Sequence, residues 1–211
     1  MTGFPIPRYF LLPLFGLLAA VFFSGCENVP CGNDGQNKMI VSVRDQKILL
    51  VHDGTPVKTY KISTSKFGVG DRPNSNCTPL GRLQVAKKIG DNVPLGGVFK
   101  HRRPTGEIVK PDSPGRDPVV TRILWLTGTE PRNRNTFRRT IYIHGTPEER
   151  RLGTPASYGC IRMASRDVAD LYKRVGNGAD VFVIRGSIQS QKFNPAPASA
   201  SAGIFTSKPS S

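Results

Sequence analysis

Residues 143–163 read IHGTPEERRLGTPASYGCIRM, and this stretch decides how the whole chain is interpreted. His144 ends an apolar run and is followed by Gly145, whose missing side chain lets the chain turn sharply. Cys160 follows Gly159 and stands close to the start of a helix-like segment. A thiol becomes a thiolate near neutral pH when a base or a positive charge lies beside it, and an imidazole supplies both. His144 and Cys160 are therefore a candidate catalytic pair.

The apolar pattern around this stretch predicts a mainly β domain. Runs that alternate or are rich in β-branched residues predict strands at 39–44, 47–52, 57–63, 82–88, 119–126, 139–144 and 180–184. A single helix is predicted after Cys160, between Ser165 as its N-cap and Gly176 just past its end. Its apolar residues have the i, i+3, i+4, i+7 spacing and are Val168, Leu171, Tyr172 and Val175.

Two motifs together resemble a known family. H-G-T at 144–146, followed by L-G-x-P-x-S-x-G-C-I-R-M at 152–163, resembles the signature of the L,D-transpeptidase catalytic domain, the YkuD family. The sequence TPLG at 78–81 resembles the T-P-x-G that precedes an earlier strand in that family. The resemblance covers roughly residues 38–186. It implies a β-sandwich-like catalytic domain that acts on peptidoglycan stem peptides and needs no metal or other cofactor.

The same resemblance implies catalytic roles for four residues. Cys160 would be the nucleophile and His144 the general base and acid. The backbone carbonyl of Gly145 would orient the imidazole, and the backbone N–H groups of Gly159 and Cys160 would hold the oxyanion. An imidazole about 3 Å from the sulfur would depress the thiol pKa below its ordinary value of about 8.5.

Four further residues are candidates for substrate contact. Ser157 would either bind substrate or hold the loop, and Arg162 would either bind a stem carboxylate or brace the loop against an acidic group. Tyr142 faces the same side of its strand as His144, so it is either a pocket wall or a core tyrosine. Tyr158 stands where the family often has His, a change expected to affect rate and substrate preference.

The N-terminal segment predicts export. Arg8 is the only charged side chain before Cys26, and residues 9–23 are almost entirely apolar but shorter than the roughly 20 residues of a spanning helix. Residues 23–26, FSGC, resemble a bacterial lipobox, in which Cys26 becomes the lipid-bearing first residue; ordinary cleavage nearby is the alternative. The expected location is the periplasm or cell envelope, with a membrane anchor. The predicted organisation is a signal peptide at 1–25, a tether at 26–37, the catalytic domain at 38–186 and a disordered Ser/Ala/Pro-rich tail at 187–211.

Charge and cysteine content narrow the partners. Lys and Arg number 30 against 15 Asp and Glu, a net charge of +15 that favours anionic partners. The export signal and an aromatic content of 8% argue against nucleic acid and leave the acidic cell wall polymer. The cysteines lack zinc-site spacing, so no metal site is expected. If Cys26 is lipidated, Cys31 and Cys77 can pair and leave one thiol free.

These observations predict an L,D-transpeptidase. Cys160 would form a thioester with a tetrapeptide stem, release D-Ala and pass the acyl group to an amine of another stem. Water as acceptor would make the protein a carboxypeptidase or endopeptidase, and a protein lysine as acceptor would attach that protein to the wall. A noncatalytic wall-binding lipoprotein is the alternative from another class.

Overall fold

The computed structural model describes residues 34–190. In this part of the chain the strands are β1 Asn37–Ser42, β2 Lys47–His52, β3 Thr55–Ser63, β4 Gly81–Ile89, β5 Gly97–Lys100, β6 Arg103–Ile108, β7 Val120–Gly128, β8 Tyr142–Gly145, β9 Ile161–Met163 and β10 Asp180–Ile184. The α-helix α1 is Ser165–Arg174, and single 3-10 turns lie at Pro131–Asn133, Glu149–Arg151 and Ile188–Ser190. The fold is mainly β with one helix after Cys160, which confirms the predicted fold class.

The sheet closes on itself. The strand order β4-β10-β1-β2-β3-β9-β8-β7 is completed by pairing of β7 back to β4, which leaves no free edge within this ring. The hairpin β5–β6 joins the ring through Val98, which lies opposite Val120 of β7. Two pairs, β1 with β10 and β8 with β9, are parallel. The second of these parallel pairs carries the site.

Each strand of the closed ring buries the side chains of one face in a common core. Met39, Ile143 and Ile161 are completely buried, together with Val168 and Leu171 of α1. Burial of such a side chain is worth about 1.5–3 kcal/mol relative to exposure. Since side chains alternate along a strand, the neighbours of these strand residues point away from this core.

A smaller apolar cluster lies on the opposite face. It contains Phe99, Ile123 and Tyr142, with Cys160 packed against it. Ile143 follows Tyr142 in β8 and Ile161 follows Cys160, so the alternation divides each pair between the two clusters. The thiol therefore lies at the edge of a packed surface outside the main core.

The helix forms where its apolar spacing predicts it, but Ser165 is not its N-cap. Ala164 takes the cap position, with extended backbone, and Ser165 is the first helical residue. The Ser165 hydroxyl accepts a hydrogen bond from Thr121 Oγ1 at 2.8 Å, and its backbone N–H donates to Glu149 Oε1 at 2.9 Å. Ser165 therefore links the helix to β7 and to the segment that follows β8.

Two strand assignments also differ from the sequence pattern. The strand expected at 139–144 begins only at Tyr142, because Thr140 has φ 54, a left-handed conformation that a β-branched residue rarely adopts and a strand does not accommodate. Ile161–Met163, which the pattern placed near the helix, forms β9 between β3 and β8. A strand of three residues is too short for periodicity to reveal.

The structure bears on few of the predictions about the N-terminal region. The signal segment, Cys26 and Cys31 lie outside the described residues, and so does most of the predicted tail. Within residues 34–190, Cys77 and Cys160 form no disulfide, and the predicted pairing of Cys31 with Cys77 stays a prediction. No helix in residues 34–190 has both the length and the apolar character needed to cross a membrane.

Candidate active site

Parallel pairing of β8 and β9 brings His144 and Cys160 to one surface. His144 lies opposite Arg162, and Cys160 directly precedes β9. Continuing that register by one residue places Cys160 beside Tyr142, whose backbone N–H donates to Cys160 Sγ at 3.4 Å. The thiol and the imidazole thus belong to the same face of two adjacent strands, two register positions apart.

The imidazole of His144 is buried and fixed. It is 5% exposed, and its Nδ1 lies 2.8 Å from the carbonyl oxygen of Gly145. Because a carbonyl oxygen only accepts, Nδ1 carries the hydrogen, and Nε2 of the neutral ring is left to accept a proton. Burial lowers the pKa of His144; the Gly145 carbonyl and the charge of Asp117 oppose this effect, and the charge of Arg162 adds to it. The ring is neutral at pH 7 and can act as a base.

Position 145 has a steric reason to be glycine. A Cβ at this position would lie 2.7 Å from the carbonyl oxygen of Val120 and 3.1 Å from Cβ of Thr121. Thr121 itself has φ 71, in a bulge of β7 that faces β8. Thr121, a buried residue with a strained backbone, therefore lies directly beside Gly145, whose carbonyl contacts His144.

Cys160 is held as a thiol. Sγ accepts from the Tyr142 N–H and donates to the Thr140 carbonyl at 3.5 Å. Removal of water from around the sulfur raises the pKa of Cys160 to about 11, against the opposing effects of the Tyr142 N–H and of the charges on Arg139 and Arg162. Within residues 34–190 no hydrogen bond joins Sγ to His144. The expected depression of the thiol pKa is wrong for this resting geometry, which pairs a neutral thiol with a neutral imidazole.

The loop before Cys160 is built around Ser157. Ser157 is 1% exposed, its Oγ donates to the Cys160 carbonyl at 2.6 Å and it accepts from the Gly159 N–H at 3.2 Å. Ser157 therefore holds the loop, which is the second of the two roles expected for it. Contact of Ser157 with substrate stays a prediction. Gly159 has φ +119, a conformation that favours glycine. Since its N–H is already engaged, the Cys160 N–H, which makes no hydrogen bond within residues 34–190, is the better placed oxyanion donor.

Arg162 also has an internal role. It is 4% exposed, and its Nη1 contacts both a carboxylate oxygen of Asp117 and Glu148 Oε2, the latter at 3.1 Å. The bracing alternative therefore describes the contacts of Arg162 in this structure. Binding of a substrate carboxylate by Arg162 stays a prediction. Glu148 also pairs with Arg151 at 3.1 Å, so two carboxylates and two guanidinium groups form one buried to half-exposed ion-pair cluster behind His144.

The motif at 78–81 also forms hydrogen bonds to the loop that precedes Cys160. Thr78 Oγ1 donates to the Gly159 carbonyl at 3.0 Å and accepts from the Ser65 N–H at 3.0 Å. Arg139 Nη2 donates to the Cys77 carbonyl at 2.7 Å, and Arg139 forms a buried ion pair with Asp71 at 2.9 Å. The residues around Thr78 thus fix the position of Gly159 and, through it, of Cys160.

A cavity of about 220 Å³ is lined in part by Thr140 and Tyr142, the two residues whose backbone groups contact the Cys160 thiol. Thr140 and Tyr142 line one side, and His101 and Arg102, at the tip of hairpin β5–β6, line the other. His101 and Arg102 have φ 50 and 66, as a two-residue hairpin turn requires. Arg102 donates to the Tyr142 hydroxyl at 3.3 Å and stacks 4.7 Å from the centre of the Trp125 ring. Tyr142 therefore both lines the cavity and packs in the smaller apolar cluster.

Several residues of the site carry no signal in the sequence. Thr140 and Glu148 flank β8 in the sequence, whereas Asp117 and Thr121 are brought to the site by the pairing of β7 with β8. Tyr158, by contrast, projects to solvent with 61% of its surface exposed, as a residue that meets substrate can.

Comparison with known proteins identifies the family. The sequence model of YkuD, the L,D-transpeptidase catalytic domain, matches residues 36–184, more than two thirds of the chain. A protein of Bacillus subtilis (strain 168) named "Putative L,D-transpeptidase YqjB" is 25% identical over 176 residues, which cover 83% of this chain and 85% of that protein.

Solved structures of L,D-transpeptidases are also similar. The one from Mycobacterium smegmatis has a TM-score of 0.46 and 16% identity over 71% of this chain and 58% of its own. That from Xylanimonas cellulosilytica has a TM-score of 0.47 and 18% identity over 72% of this chain and 61% of its own. This chain thus spans about three fifths of their length. By the match over residues 36–184, it belongs to the L,D-transpeptidase catalytic domain family.

Proposed function

We propose that the protein is a peptidoglycan L,D-transpeptidase in which Cys160 is the nucleophile and His144 the general base and acid. The observation that carries the proposal is the fixed tautomer of His144. Its Nδ1 is bound to the Gly145 carbonyl, its Nε2 is free to take a proton, and the ring shares a strand face with the thiol.

The first half-reaction forms a thioester. Cys160 Sγ attacks the carbonyl carbon at the L-centre of the diamino acid in a tetrapeptide stem, and the thiol proton passes to His144. The C–N bond to D-Ala breaks, and His144 returns the proton to the leaving amine. The Cys160 N–H stabilises the negative charge on the carbonyl oxygen while the tetrahedral intermediate exists.

The second half-reaction restores the thiol. An amine of a neighbouring stem attacks the thioester carbon and gives a proton to His144, and Sγ leaves and is reprotonated. The product joins two diamino acids through a new amide bond.

Activation of the thiol requires a change in its contacts. In the resting structure the S–H donates to the Thr140 carbonyl, and at neutral pH the thiol is not ionised because its pKa is about 11. Rotation about the Cα–Cβ bond of Cys160 directs the proton to His144 instead. Proton transfer then accompanies the attack, and the charge of Asp117 stabilises the imidazolium that forms.

Product analysis tests the proposal. The purified protein and its Cys160→Ala variant are incubated with a disaccharide-tetrapeptide, and the products are identified by mass spectrometry. We expect free D-Ala and a cross-linked dimer from the unmodified protein only. Tripeptide without dimer would identify water as the acceptor, and D-Ala release by a folded Cys160→Ala protein would exclude Cys160 as the nucleophile.

We also propose that the protein is exported and anchored to the cell envelope by lipid on Cys26. The apolar run at 9–23 and the FSGC motif support this proposal. Palmitate labelling of the unmodified protein, lost in Cys26→Ala, is the expected result. Absence of label from the unmodified protein would favour ordinary secretion.

A further inference from the structure

Three side chains next to the Cys160 loop form an exposed surface that we call the aromatic–lysine patch: Lys66, Phe67 and Tyr158. Phe67 is 50% and Tyr158 61% exposed, and their ring centres lie 5.3 Å apart with the planes inclined at 52°. Lys66 Nζ lies 4.3 Å from the centre of the Tyr158 ring and 5.3 Å from that of Phe67. It also donates a hydrogen bond to the Tyr158 hydroxyl at 2.9 Å.

The backbone fixes this patch relative to the nucleophile. The Lys66 N–H donates to the Ser157 carbonyl at 3.1 Å, Ser65 forms a β-bridge with Ser157, and the Phe67 N–H donates to Ser65 Oγ at 2.9 Å. Ser157 in turn holds Cys160 through the bond from its hydroxyl to the Cys160 carbonyl. Two adjacent aromatic side chains are therefore kept in solvent at a fixed position, and exposed apolar surface of this kind marks interaction sites.

The charge of the patch is not neutralised by the protein. An ammonium group has three N–H donors, of which Lys66 uses one on Tyr158. No carboxylate in residues 34–190 forms an ion pair with Lys66, although Lys58 and many of the arginines have such partners. The nearby ammonium also lowers the pKa of the Tyr158 hydroxyl, chiefly through their hydrogen bond. The patch thus offers a cation with free donors above an aromatic surface.

We propose that the aromatic–lysine patch binds the stem peptide, with Lys66 Nζ on a free carboxylate and the rings of Phe67 and Tyr158 against the aliphatic part of the same peptide. The inference rests on the proposed function, since it takes the stem peptide as the ligand. Stem peptides combine carboxylates with aliphatic side chains, which are the two chemical features that this surface complements. The carboxylate is that of the C-terminal D-Ala or that of the diamino acid side chain.

Equilibrium binding tests the patch independently of catalysis. The Kd of a disaccharide-tetrapeptide is measured on the Cys160→Ala protein and on the same protein with Lys66→Gln added. The control is Lys87→Gln, an exposed lysine on β4 at another part of the barrel. Loss of one charge-assisted hydrogen bond predicts a Kd that rises about 10-fold for Lys66→Gln and does not change for Lys87→Gln. Equal Kd values for all three proteins would overturn the proposal.

Amidated peptides identify the carboxylate. Peptides with either the C-terminal or the diamino acid carboxylate converted to the amide are bound to the same proteins. Amidation of the recognised carboxylate should weaken binding about 10-fold when Lys66 is present and leave binding to Lys66→Gln unchanged. If Lys66→Gln remains fully sensitive to both amidations, Lys66 does not contact a carboxylate and the assignment fails.

The aromatic part has its own pair of variants. Phe67→Ala should raise the Kd about 5-fold, whereas Val57→Ala, which truncates a comparably exposed apolar residue on β3, should not. Two results separate this proposal from the proposed function. If the unmodified protein shows no turnover but binding still depends on Lys66, the proposed function is refuted and the binding site stands. If the unmodified protein shows turnover but the Kd is unaffected by the changes at Lys66 and Phe67, the binding site is refuted and the proposed function stands.

Discussion

Two strands of this protein end their apolar runs with a histidine, and the structure treats those histidines in opposite ways. In β2 the run KILLVH places His52 at the rim, where its side chain is 49% exposed, with Nδ1 2.9 Å from Asn37 Oδ1 and Nε2 3.6 Å from Asp53. At β8 the run RTIYIH, of which only the last three residues belong to the strand, places His144 in a buried position on the Gly145 carbonyl. Residue type and pattern are the same, so the surroundings alone make one imidazole a candidate base.

The difference has two structural sources. His144 is 5% exposed in β8, which pairs with the bulged part of β7 around Thr121, whereas the side chain of His52 at the end of β2 is 49% exposed. His144 is followed by Gly145, whose backbone carbonyl contacts the imidazole. His52 is followed by Asp53, whose side chain is 56% exposed. Burial then fixes the ring, and the backbone selects its tautomer.

The largest expected effect comes from removing each ring in turn. His144→Gln keeps a polar side chain but eliminates the titrating base, so release of D-Ala should fall about 10²–10⁴-fold. His52→Gln is the matched control and should change the rate less than twofold. Steady-state D-Ala assays on both variants, with circular dichroism to verify folding, make the comparison. Equal rates in the two variants would remove His144 from the mechanism.

A smaller effect should follow from disturbing the carbonyl that holds His144. Gly145→Ala puts a Cβ 2.7 Å from the Val120 carbonyl, so β8 or the bulge of β7 must shift. We expect an activity loss of about 10-fold and a loss of about 1–3 kcal/mol in the free energy of unfolding by urea. Gly35→Ala is the control, since a Cβ there meets nothing within 4 Å. Gly145→Ala with full activity and unchanged stability would contradict the expectation that an added Cβ displaces the backbone at this position.

The smallest of these effects concerns the carboxylate near each histidine. Asp117 raises the pKa of His144 against the burial that lowers it, so Asp117→Asn should lower that pKa further. A base must be unprotonated, so the rate rises with pH through the His144 pKa. The acid limb of the pH–rate profile should therefore move to lower pH, and the plateau should fall a few-fold because the base is weaker. Asp53→Asn, beside His52, should leave the profile unchanged. A limb that moves to higher pH in Asp117→Asn would contradict the assigned charge effect.

Sequence reasoning succeeded where the information is local. Alternation of apolar residues predicted most strands, the i, i+3, i+4, i+7 spacing predicted α1, and the S-x-G-C-I-R-M motif predicted the family. These signals depend on neighbours within a few positions, so no tertiary knowledge is needed to read them.

It failed where distant segments meet. The sequence left two roles for Arg162, substrate binding and bracing of the loop, because its partners Asp117 and Glu148 are 45 and 14 positions away. The contact of Lys66 with Tyr158 was missed because it spans 92 positions. The sign of the Cys160 pKa shift was wrong because it depends on how much protein surrounds the sulfur, which spacing does not report. The sequence pattern predicted Ser165 as the N-cap, because the hydrogen bond that its hydroxyl makes with Thr121 joins distant positions and cannot be read from the pattern.

The most direct test of the central claim is the mass and position of the covalent intermediate. The protein is mixed with a disaccharide-tetrapeptide, quenched in acid within one turnover and digested for peptide mapping. The account predicts an adduct that equals the substrate minus D-Ala, located on Cys160 and slow to form in His144→Gln but not in His52→Gln. An adduct on any other residue, or turnover without an adduct on Cys160, would contradict it.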